Sequence, residues 1–121
     1  MPVPPCELRW SVPDQDGKTV GLYADQWRHI LLGHKEMLGH ERYIKLTIFD
    51  PDIIVRTPHS ARYAGGERRT LCKLGVHPDH SSLYLMVPIE YGADGQNFVV
   101  TTHVGPLPPR GDWIYVRLPG H

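Results

Sequence analysis

The chain has 121 residues, and its 13 Lys and Arg balance 13 Asp and Glu, so with eight neutral His its formal net charge is zero. A protein that holds nucleic acid by bulk charge is strongly basic and an acidic disordered tail is strongly negative, so both descriptions are excluded. At 13.8 kDa the folded surface is expected to be about 6,600 Å² against about 20,000 Å² unfolded, which allows one ordinary core and a single domain over residues 1–121.

A hydrophobic fraction of 40% with 12 Gly and 12 Pro predicts many turns around short strands. No apolar run approaches the ~18 residues of a membrane span. The start from Met1 to Pro5 lacks a signal peptide's apolar segment, so a soluble cytoplasmic protein without membrane contact is expected. Cys6 and Cys72 have no metal-type spacing and read as reduced residues.

In chain order, residues 6–12 and 18–23 flank Pro13-Asp14-Gln15-Asp16-Gly17, whose turn chemistry predicts a hairpin. Trp27, Ile30 and Leu31 repeat at helical spacing from Ala24 or Asp25 to a stop at Gly33. A second helix is expected from Glu41 to about Phe49, with Tyr43, Ile44, Thr47 and Ile48 on one face, ended by Asp50-Pro51. Beyond residue 52 the period becomes two, predicting strands over 53–57, 69–74, 83–91, 97–104 and 113–118. Short Gly- and Pro-bearing connections imply an antiparallel meander. The expected class is α+β: an N-terminal hairpin and helices packed on a twisted antiparallel sheet of four to five strands.

Strict alternation over 97–104 would put Phe98, Val100, Thr102 and Val104 inward and Val99, Thr101 and His103 outward. Arg69 and Lys73 share a face of the 69–74 strand. Between residues 53 and 78 the cations Arg56, Arg62, Arg68, Arg69 and Lys73 face the single acid Glu67, a local excess of +4. That stretch is a candidate phosphate-binding patch, with a solvated basic turn as the plain alternative. Tyr63 and Tyr84 are candidate base-stacking residues, with packing as the alternative. His29 and His34 lie five residues apart, which is not the helical i,i+4 zinc spacing. His77 and His80 read as decoration of an exposed turn, so no metal or other cofactor is expected.

Three pieces of sequence carry a resemblance: Trp27-Arg28-His29-Ile30 followed by Gly33-His34-Lys35-Glu36; the run Ile44 to Asp52 followed by Ile53-Ile54; and Phe98-Val99-Val100-Thr101-Thr102. In this order the chain resembles the small phage-associated nucleases of the barnase, EndoU, colicin and RelE type, the BECR fold, over roughly residues 24–118. The resemblance implies helices on a four-stranded antiparallel sheet and, in many members, a metal-independent endoribonuclease toxin. It implies a helix His (His29 or His34), a strand cation (Arg69 or Lys73) and a late hydroxyl (Thr101 or Thr102) as site residues. It also implies RNA as partner and an antitoxin or immunity protein as a possible neutraliser.

In the expected chemistry His29 or His103 transfers protons, Arg69 and Lys73 stabilise the phosphorane, and Thr101 orients the substrate, with Arg56, Arg62, Arg68, Tyr63 and Tyr84 holding RNA. The competing class is a non-catalytic binding module or accessory protein of phage or mobile-element origin, which zero net charge favours. A metal-dependent hydrolase using His29, His34, His77 or His80 ranks last, because their spacings are not those of a ligand set.

Overall fold

The computed structural model describes residues 7–57 and 66–118. Strands β1 (Leu8–Pro13) and β2 (Thr19–Tyr23) form the expected antiparallel hairpin. The Asp14 carboxylate accepts the backbone N–H groups of Asp16 and Lys18 at 2.9 and 2.8 Å, which folds the turn between them. Helix α1 (Ala24–Gly33) buries Trp27 and Ile30, and a 3₁₀ turn at Lys35–Met37 buries Met37. Helix α2 (Glu41–Phe49) buries Ile44, Thr47 and Ile48, the face its sequence period marked.

Six further strands follow: β3 (Ile53–Thr57), β4 (Glu67–Leu74), β5 (Tyr84–Tyr91), β6 (Asn97–Val99), β7 (His103–Gly105) and β8 (Asp112–Val116). Among the described residues they join the hairpin in one sheet of order β1-β2-β6-β5-β4-β3-β8, with β7 beside the first half of β5. The fold is α+β, but the sheet has eight strands and is mixed, because β2 and β6 run parallel. The four or five antiparallel strands expected from sequence describe its centre, β3 to β6. What short connections do not announce is long-range pairing, of β2 with β6 and of β3 with β8.

The cross-strand row Ile54, Leu71 and Val87 points to the side where Trp27, Ile30, Ile44 and Ile48 of the helices complete the main core. The alternate row Ile53, Cys72 and Met86 forms a smaller cluster with Val55 on the other side. Cys72 is buried, and burial with the nearby Asp52 carboxylate pushes its thiol up to about 12. Cys6 lies outside the described residues.

The expected strand over 97–104 is two strands. Pro88, in the middle of β5, accepts the Val100 N–H on its carbonyl at 2.9 Å. In a strand a residue's N–H and C=O face the same neighbour, so the donor that proline lacks is missing from this edge. The ladder therefore stops between β6 and β7. Val99, opposite Ile89, and Val104, opposite Leu85, both pack on the main core although they are an odd number of residues apart. The register has slipped by one residue, which exchanges faces. The inward set is thus corrected in β6, where Val99 is the core residue and Phe98 is only half-buried, whereas Thr102 is buried and Val104 packs on the main core as the alternation placed them.

Candidate functional site

The loop that leaves α1 meets strand β7. Gly33 ends the helix, the His34 N–H closes on the Ile30 carbonyl at 2.7 Å, and burial of Met37 pins the 3₁₀ turn that follows. This presents His34 and Glu36 toward His103. The His34 and His103 rings lie 5.6 Å apart between centroids, and Glu36 Oε2 is 3.5 Å from His34 Nδ1. All three side chains are half-buried. Burial and the neighbouring His34 lower the His103 pKa below that of an ordinary imidazole, against an upward pull from Glu36. Imidazole and carboxylate are the side-chain types that can carry general acid–base chemistry near neutral pH.

Thr101 is half-buried in the break that precedes β7, and the Gln26 side-chain amide of α1 donates to the Val100 carbonyl beside it. The Thr102 hydroxyl is buried and donates to the Met86 carbonyl at 3.0 Å, a structural bond. His29 is exposed on α1 and makes no ring contact with His34 or His103 among the described residues.

The basic residues of this stretch that are described each pair with carboxylates. Arg56 pairs with Glu67 at 3.6 Å and Asp112 at 3.2 Å, and Arg68 pairs with Glu90 at 3.3 Å. Arg69 pairs with Glu67, its guanidinium 5.0 Å from the Tyr91 ring centre. Lys73 donates to the Asp50 carbonyl at 2.7 Å and lies 3.2 and 3.6 Å from the Asp50 and Asp52 carboxylates, which Arg117 also binds. Lys73 lies opposite Leu85, which lies opposite Val104, so two interstrand steps, about 10 Å, separate it from β7. Arg69 is a further four residues, about 13 Å, along β4. Tyr84 packs on the Ile53–Met86 cluster. Arg62 and Tyr63 lie outside the described residues.

Two site features were not read from sequence. Glu36 was visible as part of a His-x-Glu pair directly after a helix-stopping glycine, a spacing that puts both side chains on one turn. His77 was placed on an exposed turn, yet it is only 1% exposed, and its Nε2 lies 2.6 Å from the Glu36 carbonyl. It supports the backbone behind the His34–Glu36 pair. No signal near His77 announces this, because its partner lies far back in the chain. No known family, curated protein or solved structure matches this chain.

Proposed function

We propose that the chain is a small metal-independent endoribonuclease of the toxin type, as its resemblance to the BECR nucleases implies, with His34 and His103 as its proton-transfer pair. The observation that carries the reading is the approach of these two rings beside Glu36. His103, held neutral by its lowered pKa, takes the proton of the RNA 2′-OH. The freed oxygen attacks the adjacent phosphorus and the bond from phosphorus to the 5′ oxygen breaks. His34, in its protonated form, gives a proton to that leaving oxygen. The products are a 2′,3′-cyclic phosphate and a 5′-hydroxyl, so the protons balance and the enzyme ends with its two histidines exchanged in charge. Thr101, half-buried two residues before His103 in the chain, serves as an orienting hydroxyl.

The test is cleavage of end-labelled RNA in EDTA, with analysis of the new ends. Cyclic phosphate termini are expected, with a loss of about 10²-fold or more in kcat/KM for His34→Ala and for His103→Ala at unchanged folding. Absence of cleavage over a range of RNAs and pH, or full activity in both variants, refutes the assignment.

One observation favours the second reading, a non-catalytic binding module. Every described cation between residues 53 and 78 has a carboxylate partner, and paired cations attract phosphate weakly. A chain that leaves RNA intact but is retained by a specific protein partner would be such a module.

A further inference from the structure

A second histidine cluster lies on the far side of the 3₁₀ turn, where the entry to α2 meets the connection between β4 and β5. The His40 and His77 rings are 4.2 Å apart between centroids, and His80 stands 4.8 Å from His77. One potential ligand atom each from His40, His77 and Asp79 falls within 4.8 Å of the others. We propose that these three residues form a binding site for a divalent transition-metal ion of the zinc class, independent of the acid–base pair.

Three features support the assignment. His40 Nδ1 is buried and has no hydrogen-bond partner, a cost that coordination would remove. His77 Nε2 faces the Glu36 carbonyl at 2.6 Å. A carbonyl only accepts, so Nε2 carries the proton and Nδ1 keeps its lone pair. A metal-binding imidazole typically has this arrangement, with its other nitrogen donating to a backbone carbonyl that fixes tautomer and orientation. The Asp79 N–H donates to that Nδ1 over 3.2 Å, a long bond that coordination would replace.

The donor set selects the ion. Two imidazoles and one carboxylate suit Zn²⁺, Co²⁺ or Ni²⁺, whereas Mg²⁺ and Ca²⁺ prefer oxygen alone. His77 is buried and Asp79 exposed, so the set opens to solvent on the carboxylate side. Three protein donors leave a position for water. Because one imidazole ring would hold the ion and the Glu36 carbonyl together, occupancy would clamp the β4–β5 connection to the turn that carries Glu36.

The experiment strips the purified chain with EDTA, removes the chelator and titrates with Co²⁺, followed by Zn²⁺. Uptake of one Co²⁺ per chain is expected, with visible absorption that Zn²⁺ abolishes and a rise in melting temperature of about 5 °C or more at saturation. His40→Ala and Asp79→Asn should each weaken uptake at least about tenfold, while His34→Ala and His103→Ala leave it unchanged. His40→Ala breaks no hydrogen bond of Nδ1 but removes the ring packed on His77 and Tyr43, so its metal-free melt separates a loss of folding from a loss of metal. Absence of saturable uptake overturns the site. So does normal uptake in His40→Ala, or loss of uptake in the His34 and His103 variants instead.

Discussion

Burial beside the His34 ring holds the His103 imidazole below its usual pKa, with Glu36 as the opposing charge. A histidine whose folded pKa lies below its unfolded value binds fewer protons in the native state. Its contribution to stability is complete above about pH 6.5 and is lost as pH falls toward the folded pKa. Thermal melts in EDTA are expected to show a falling melting temperature below about pH 6.5, and His103→Gln should reduce that slope. An unchanged slope would show that His103 is not the titrating group. Glycines give a contrast of a different kind. A Cβ at Gly111 would lie 2.4 Å from the Arg56 carbonyl oxygen and 2.8 Å from Val55 Cγ1, where backbone cannot yield. At Gly105 the obstacle is the flexible end of Met86, also at 2.4 Å. Gly111→Ala should cost about 2–3 kcal/mol and Gly105→Ala less than about 1 kcal/mol by urea denaturation. At this scale the sequence shows which residues have chemistry and hides which of them meet: His34 and His103 were both candidates, but His77 acquires its role from Glu36 and His40, which no local spacing connects to it.

Asp14 links two elements. Besides capping the hairpin turn, its carboxylate accepts the Tyr91 hydroxyl of β5 at 2.9 Å and is 5% exposed. Asp14→Ala would leave that hydroxyl and two turn N–H groups without their acceptor, and a loss of about 2–3 kcal/mol is expected. Tyr91→Phe removes one bond and should cost about 1 kcal/mol. Equal effects in a chemical denaturation series would mean that the turn bonds contribute nothing. The hairpin and both helices were legible in the sequence because their determinants are local: turn residues at 13–17, helical spacing of Trp27 and Ile30, and Pro51 after α2. The division of β6 from β7 was not, because its cause, Pro88, sits on a neighbouring strand. Alternation within 97–104 carries no sign that the partner strand lacks a donor there.

Across the whole molecule, a count along the chain shows a +4 segment between flanks that each carry −2. The fold sets these against each other, because Lys73 finds Asp50 and Asp52 from one flank while Arg68 and Arg56 find Glu90 and Asp112 from the other. The charge excess was legible and its cancellation was not, since cancellation depends on which strands are neighbours. Glu67 is shared by Arg56 and Arg69. Glu67→Gln should therefore raise affinity for RNA and steepen the salt dependence of log K by about 1, read by fluorescence anisotropy. An unchanged slope would mean that these pairs do not withhold the cations from phosphate. The same distant pairings order events in time. Val20 waits for Asn97, Ile53 waits for Val116, and His34 waits for His103. A ribosome supplies residues from the N-terminal end, so a growing chain can form its hairpin and helices early. Its sheet, and the pair of imidazoles, cannot close until those late residues have emerged. However early the turn that carries His34 folds, its imidazole therefore stands without the His103 ring until β7 has been made.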